Sequence, residues 1–202
     1  MTESPYFRQL LAGRQVAVRH PVAGQMANFM YLVGDPASRQ ALVVDPAWDV
    51  ASLLDVAAED GYQVVGALVT HYHPDHVGGD MFGLSIEGVS KLLESHDVPL
   101  YVNKHEADGL RKITGVSESD LKRMEGGDQI AIGEVRIRFL HTPGHTPGSA
   151  GFMFRDLLFS GDALTVVPAE GDALGFEVVA AHSQLSQIGL EFPDPEPSRV
   201  TL

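Results

Sequence analysis

The sequence predicts a mixed α/β fold, because segments with strand-like and helix-like patterns alternate along its 202 residues. Residues 64–69 form a continuous apolar run, which is typical of a buried strand. Residues 46–60 place Val50 and Leu53 at helical spacing, and Gly61 follows where that helix should end. Hydrophobic residues make up 44% of the chain, which is enough to fill a core between packed layers.

The expected elements follow one another without repeats or low-complexity segments. Strands are predicted at 26–33, 40–45, 64–70 and 99–102, and helices at 46–60, 86–95, 104–113 and 176–190. Two hairpins are predicted, one from 130–132 and 135–140 and the other from 150–154 and 157–160. We also expect residues 115–127 to form a short helix over the functional site.

The most informative feature is His-Tyr-His-Pro-Asp-His at residues 71–76, directly after a predicted strand. A lone His at a strand end is usually solvated or hydrogen-bonded. Three imidazoles and a carboxylate within six positions are different, because clustered imidazoles repel one another when protonated and gain nothing in packing. Nitrogen and oxygen ligands of this kind suit borderline cations such as zinc or iron, so the motif predicts a metal site.

The spacing within this motif indicates two metals. His71 and His73 are two residues apart, so their side chains point the same way from an extended segment. Asp75 and His76 follow where the chain must turn, and they could face a second position a few ångströms away. Paired metals about 3.5–4 Å apart are used for hydrolysis, because they clamp the developing oxyanion.

Two later segments offer further ligands at the ends of predicted strands. His145 lies in Thr-Pro-Gly-His-Thr-Pro-Gly-Ser (142–149), a rigid loop after the strand expected at 135–140. Asp162 follows the apolar residues 157–159, and a carboxylate there can bridge two cations. Each residue alone is more typical of a turn, but together they complete the ligand set that begins at His71.

These motifs together resemble the metallo-β-lactamase-fold hydrolases, and most closely their glyoxalase II (hydroxyacylglutathione hydrolase) branch. The family motif T-H-x-H-x-D-H corresponds to residues 70–76, its third-motif His to His145 and its bridging Asp to Asp162. Asp45 corresponds to the buried acid that ends an early strand in this family. The resemblance implies a four-layer αββα sandwich of the metallo-β-lactamase fold, with the ligands gathered at one edge.

The resemblance also implies a role for each ligand. The first metal would be held by His71, His73 and His145, and the second by Asp75, His76 and Asp162, with Asp162 bridging. A metal-bound hydroxide would attack a carbonyl, and Asp75 would also be catalytic by orienting that hydroxide. The implied cofactor is Zn²⁺, one or two ions per chain, with iron or manganese as alternatives. We interpret His141, which has a counterpart in many relatives, as part of the loop structure.

The sequence departs from the family near its end. Relatives carry a last ligand in a Pro-Gly-His turn, and no such tripeptide follows Asp162, so residues 165–202 are atypical. Three explanations stay open: a truncated or frame-shifted end, a natural variant that binds one metal or binds weakly, or a ligand from a neighbouring subunit. We expect His182 to lie on a helix surface rather than to replace the missing ligand. The missing ligand would impair activity.

Composition narrows the class of protein. The length predicts one metallo-β-lactamase-like domain over residues 1–202. The net charge of −13 argues against a nucleic-acid partner. The absence of Cys excludes disulfides and thiolate ligation. With no long apolar run and no signal-like start, we expect no membrane association and a cytoplasmic location. The sequence carries no signal for an oligomeric state.

The predicted function is a metal-dependent hydrolase that cleaves a thioester or ester of a small molecule, such as a hydroxyacyl-glutathione. One alternative is an oxidoreductase like the mononuclear iron persulfide dioxygenases, for which His71, His73, His145 and Asp162 would suffice. Another is a weakly active protein whose metal site is mainly structural. A β-lactamase function is a lesser alternative, because nothing in the sequence marks a β-lactam pocket.

Overall fold

The computed structural model describes residues 4–155, 157–168 and 176–180, and these residues form a mixed α/β structure as predicted. The described α-helices are α1 (Ala23–Met26), α2 (Val50–Glu59), α3 (Pro74–Val77), α4 (Val89–Ser95) and α5 (Ala107–Thr114). Two 3-10 helices lie at Glu118–Asp120 and Gly161–Ala163. None of the helices in these ranges has the length and hydrophobicity needed to span a bilayer.

The strands form two larger sheets and two separate hairpins. In chain order they are β1 (Tyr6–Leu11), β2 (Phe29–Asp35), β3 (Gln40–Val44), β4 (Gln63–Val69), β5 (Gly79–Met81), β6 (Leu84–Ile86), β7 (Leu100–Asn103), β8 (Leu121–Met124), β9 (Gln129–Ile132), β10 (Val135–His141), β11 (Ala150–Phe154), β12 (Leu157–Phe159), β13 (Leu164–Pro168) and β14 (Phe176–Ala180). The first sheet has the order β1-β2-β3-β4-β7-β8 and the second β12-β11-β10-β9, while β5 pairs with β6 and β13 with β14.

The strands of the first sheet that lead to the predicted ligands run parallel. β3, β4, β7 and β8 run parallel, so their carboxyl ends meet at one edge. Parallel neighbours need a crossover, and helices α2, α4 and α5 lie within the connections between these strands. The side chains of β4 are buried over most of its length, as expected for a strand covered on both faces.

One apolar core lies between the helices and the first sheet. Asp49 caps the start of helix α2, because its carboxylate accepts a hydrogen bond from Ser52 N at 3.0 Å. From there Val50 and Leu53 point into the core, where they join Leu92 of α4 and Leu110 of α5. The predicted start of α2 at residue 46 is therefore four residues early, because Pro46 to Asp49 form the approach to the helix rather than its first turn.

A second core lies between the two sheets. Phe139 and Phe152 of the second sheet are fully buried and pack edge to face, with ring centroids 5.4 Å apart. They share this core with Val33, Leu42 and Leu68 of the first sheet. The helices thus pack on the first sheet and the first sheet packs on the second, which gives three of the four layers that the resemblance implies.

Some sequence predictions were wrong. Residues 115–127 do not form one helix: only Glu118–Asp120 is helical, as a 3-10 turn, and Leu121–Met124 is strand β8, in which Leu121 pairs with Leu100 at the edge of the first sheet. Phe176–Ala180 is strand β14 rather than the start of a helix, and residues 181–190 of that prediction, with His182, lie outside the described residues. Strand β1 and the hairpin of β5 and β6 were not predicted.

Other boundaries shifted by a few residues. The helix predicted at 86–95 begins only at Val89, since Leu84–Ile86 is paired in β6, and the helix predicted at 104–113 begins at Ala107. Strand β7 is Leu100–Asn103, one residue later than predicted.

The backbone just after the predicted ligand motif, at Val77 and Gly78, lies in close contact with the backbone at Gly88. Gly78 ends helix α3 with a φ of +84°, a conformation that favours glycine. A Cβ atom at Gly88 would overlap the backbone carbonyl of Val77, so only glycine at 88 allows these two backbone segments to approach this closely. This contact fixes where α3 sits relative to α4.

We expect Gly88→Ala to lower the free energy of unfolding by about 1–3 kcal/mol or more, because backbone cannot move aside as a side chain can. Urea denaturation followed by circular dichroism measures the effect. Gly24→Ala is the matched control, since its Cβ would meet nothing nearer than Gly13 Cα at 3.7 Å. Equal stability of the two variants would contradict this account of the contact.

Candidate metal centre

The predicted ligands lie where strands of both sheets end. His71, His73, Asp75 and His76 follow the end of β4 in the first sheet. His145 lies in the loop between β10 and β11, and Asp162 follows the end of β12. Packing of one sheet on the other therefore brings together residues that are up to 91 positions apart in sequence, from 71 to 162.

One group of nitrogen atoms is formed by His71, His73 and His145. His73 Nδ1 lies 3.1 Å from His71 Nε2 and 2.9 Å from His145 Nε2. The three nitrogen atoms all lie within 4.8 Å of one another. His71 and His73 do point the same way, as their spacing indicated.

A second group is formed by His71, His76 and Asp162, again with its ligand atoms within 4.8 Å of one another. Asp162 Oδ1 lies 3.1 Å from His76 Nε2, and its other oxygen, Oδ2, lies 3.4 Å from His145 Nε2. One carboxylate thus reaches both groups, which is the arrangement expected of a bridging ligand.

Asp75 lies at the margin of the second group. Its Oδ2 is 3.5 Å from His76 Nε2 and accepts a hydrogen bond from Asn28 Nδ2 at 3.0 Å. The short helix α3, with Pro74 at its first position, turns the chain here and directs Asp75 and His76 away from the extended His71–His73 segment.

Asp45 holds two of the imidazoles from behind. This buried carboxylate accepts hydrogen bonds from Thr70 N at 2.8 Å and Thr70 Oγ1 at 2.6 Å, and its Oδ2 lies 3.0 Å from His76 Nδ1. Because the Thr70 hydroxyl proton is given to Asp45, Thr70 Oγ1 can accept from His71 Nδ1, 3.1 Å away. Both rings then carry a proton on Nδ1 and turn Nε2 toward the group, as metal-binding imidazoles do.

Backbone conformation at two positions supports this arrangement. Asp45 has a φ of +50°, which is strained for a residue other than glycine and is held here by the hydrogen bonds of its side chain. Gly161 also has a φ of +50°, and a Cβ there would overlap the Thr70 side chain. Glycine at 161 therefore lets the chain that carries Asp162 pass against Thr70.

The electrostatics of the site differ between the two groups. Burial lowers the pKa of His71 from its ordinary value of 6.5 to about 2, so this imidazole stays neutral. Burial would also lower the pKa of His76, but hydrogen bonds to Asp162 and Asp45 outweigh it and raise the pKa to about 10. The same bond to His76 is the main cause that holds the pKa of Asp162 below its usual range.

The chemistry of these donors fits a divalent cation. Three imidazole nitrogens converge in one group, and imidazole and carboxylate ligands make up the other, with no thiolate available because the chain lacks Cys. Such nitrogen and oxygen sets are typical of zinc, and also of iron and manganese. Converging electron pairs repel one another unless a proton or a cation lies between them, so the arrangement favours a bound cation.

Two residues at the site were missed by the sequence analysis. Asn28 Nδ2 lies 3.0 Å from both Asp75 Oδ2 and His76 Nε2, and no motif marks this Asn. Glu106 is fully buried beside the ligand loops. It follows β7, the parallel neighbour of β4, so its position at the same edge could have been inferred.

His141 and Tyr72 lie near the ligands without belonging to either ligand group. His141 Nε2 donates to Pro147 O at 3.0 Å within the loop, and it belongs to neither ligand group. The Tyr72 ring packs against the helical core beside Gly109.

Comparisons with known proteins agree with this geometry. The family model for the Metallo-beta-lactamase superfamily matches residues 23–190. A Hydroxyacylglutathione hydrolase of Rhodopseudomonas palustris (strain HaA2) is 33% identical over 139 residues, which cover 68% of this chain and 48% of that protein. A Probable polyketide biosynthesis zinc-dependent hydrolase PksB of Bacillus subtilis (strain 168) is 28% identical over 148 residues, covering 72% of this chain and 60% of that protein.

A solved structure is similar as well. The crystal structure of ETHE1 from Myxococcus xanthus has a TM-score of 0.59 and 27% identity, and the match covers 80% of this chain and 59% of that one. The matches to the two curated relatives thus cover about half to three fifths of those proteins' lengths. The fold predicted from the resemblance is confirmed.

We expect His73→Ala to lose most of the bound metal, because Nδ1 of His73 is the atom that both other imidazoles of its group approach. Elemental analysis of the purified variant measures the loss. His96→Ala is the control, because His96 caps the end of helix α4 and its side chain bonds only the neighbouring Ser95 among the described residues. Wild-type zinc content in His73→Ala would refute the role of this residue.

We expect Asp45→Asn to weaken zinc binding at the second group by about 10–100-fold, because an amide cannot accept from Thr70 and His76 on both of its atoms. Chelator competition measures the affinity. Asp55→Asn, on the exposed side of α2, makes the same chemical change away from the site. If both variants bind zinc as tightly as the wild type, Asp45 has no such role.

Proposed function

The chain belongs to the metallo-β-lactamase superfamily, and we propose that it is a metal-dependent hydrolase that cleaves a thioester or ester bond in a small molecule. The observation that carries this proposal is the position of Asp162, whose two oxygens reach His76 of one group and His145 of the other. A carboxylate placed between two ligand groups supports a dinuclear site, and dinuclear sites are a common means of hydrolysis.

We propose that the ligands divide as the resemblance implies. The first cation would be held by His71, His73 and His145, and the second by Asp75, His76 and Asp162, with Asp162 shared. Zinc is the cation that the donor set and the zinc-dependent relative support best. Iron and manganese are alternatives with the same types of ligand.

The chain's own residues supply orientation and a proton acceptor. A bound divalent cation lowers the pKa of a coordinated water toward about 7 and polarises a carbonyl oxygen. In this proposal Asp75 accepts a proton from the attacking water, and its hydrogen bond from Asn28 Nδ2 to Oδ2 supports that role by holding the carboxylate in place. Asp45 and Thr70 keep His76 and His71 turned toward the site, so the donors need no rearrangement during the reaction.

The substrate class rests on the relatives. The hydroxyacylglutathione hydrolase relative supports a thioester, and the chain matches about half of that protein's length. A second candidate is an oxidoreductase with a single iron. It is favoured by the completeness of the first ligand group among the described residues and by the structural likeness to ETHE1.

Metal content and activity separate these functions. We expect purified protein to contain two zinc ions per chain and to hydrolyse an S-acyl-glutathione or a simpler acyl thioester, measured by release of free thiol. Asp75→Asn should keep the first cation but bind the second more weakly and lose most of the hydrolysis, because Asp75 is both a proposed ligand of the second cation and the proposed proton acceptor. One iron per chain with oxygen-dependent sulfite formation would support the oxidoreductase instead. Tightly bound metal with neither thioester hydrolysis nor sulfite formation would support a structural site.

A further inference from the structure

Glu106 is a buried carboxylate that the proposed reaction does not use. Its residue is fully buried, and it lies directly before helix α5. A carboxylate at the start of a helix commonly caps the first turn. Glu106 makes no such bond to its own helix, so both of its oxygens are free for other partners.

The two oxygens instead accept hydrogen bonds from the two loops that carry the imidazoles. Glu106 Oε2 accepts from Tyr72 N at 3.1 Å, and Tyr72 lies between His71 and His73. Glu106 Oε1 accepts from Gly148 N at 2.6 Å, three residues after His145. These two backbone groups are the only hydrogen-bond partners of the Glu106 carboxylate among the described residues.

The two loops belong to different sheets. The His71–His73 segment extends β4 of the first sheet, and the His145 loop joins β10 to β11 of the second. The two sheets share an apolar core, but apolar packing does not fix the position of loop atoms to a few tenths of an ångström. A charged acceptor bonded to one N–H from each loop provides a directional link between them.

Two glycines allow the backbone and helix α5 to pack closely around the Glu106 carboxylate and Tyr72. A Cβ at Gly148 would lie 2.7 Å from both Cγ and Oε1 of Glu106, so glycine is needed for the backbone N–H to come this close. A Cβ at Gly109, one turn into α5, would lie 2.9 Å from the Tyr72 ring. Helix α5 is therefore fitted closely against both loops.

We propose that Glu106 is a positioning residue that joins the two ligand loops and thereby sets the metal affinity of the His71, His73 and His145 group. This rests on the ligand assignment made under the proposed function. Ligands that are already held in place bind a cation without a further loss of conformational entropy, so a site with this link binds more tightly than one without it.

Glu106→Gln tests the proposal. The amide keeps the size of the side chain but turns an NH₂ group toward one of the two backbone N–H donors, so one loop loses its bond. We expect zinc affinity of the first group to fall about 10–100-fold, measured by chelator competition, and the visible spectrum of the Co²⁺-substituted protein to change. Glu125→Gln is the matched control, because Glu125 is exposed and, within the part of the chain that the structure describes, its carboxylate pairs only with Lys104, at 2.8 Å.

A merely structural role predicts a different result. If Glu106 only stabilises the fold, Glu106→Gln will lower the melting temperature of the metal-free protein while the folded variant binds zinc and Co²⁺ as the wild type does. That result would overturn the proposal. Should Glu106→Gln fail to fold, Glu106→Asp keeps the charge but is too short to reach both loops. Glu106→Asp should therefore also bind zinc more weakly than the wild type. Wild-type zinc affinity in Glu106→Asp would likewise contradict the proposal.

The readout also separates this proposal from the function. If wild-type protein binds zinc but hydrolyses no thioester, the proposed reaction fails and the effect of Glu106→Gln on zinc affinity still decides the role of Glu106. If wild-type protein binds no zinc or Co²⁺, both proposals fall together.

Discussion

The site depends on holding several nitrogen and oxygen donor atoms close together although their electron pairs repel one another. His73 Nδ1 is about 3 Å from two other imidazole nitrogens, an arrangement that offers no packing gain. Hydrogen bonds on the buried side of the site offset this repulsion. There Asp45 bonds Thr70 and His76, and these bonds hold its own backbone in a strained conformation. This buried network fixes which nitrogen of His71 and of His76 faces the site.

The two-sheet core explains how such distant residues meet. Phe139 and Phe152 pack in the layer between the sheets, and the strands that carry them end beside the strands of the first sheet. Because β3, β4 and β7 are parallel, Asp45, the His71–His76 segment and Glu106 all emerge at one edge. The helices cover the opposite face of that sheet, so the site lies on the open edge of a well-packed scaffold, where loops can vary without disturbing the core.

Much of this site was visible in the sequence, and the reason is its local spacing. His71, His73, Asp75 and His76 lie within one short segment, and His145 and Asp162 each follow a recognisable strand. The parts that were missed depend on contacts between distant segments. Asn28 carries no motif, and its role appears only when β2 starts beside helix α3. Residues 115–127 were wrongly predicted as helical because the polar stretch around Glu118 hides strand β8, which exists through its pairing with β7 rather than through its own pattern.

Exposure divides the site into a holding side and an open side. His71 and His76 are 1% and 3% exposed, and their far sides are bonded to Thr70 and Asp45. The side chains of His145 and Asp162 are instead 35% and 40% exposed. A buried donor keeps its orientation, because it has few alternative partners, whereas an exposed donor can exchange partners with solvent or with a ligand. Among the described residues, the site is therefore accessible to solvent on the side of His145 and Asp162, and the carboxylate that reaches both ligand groups lies on that side.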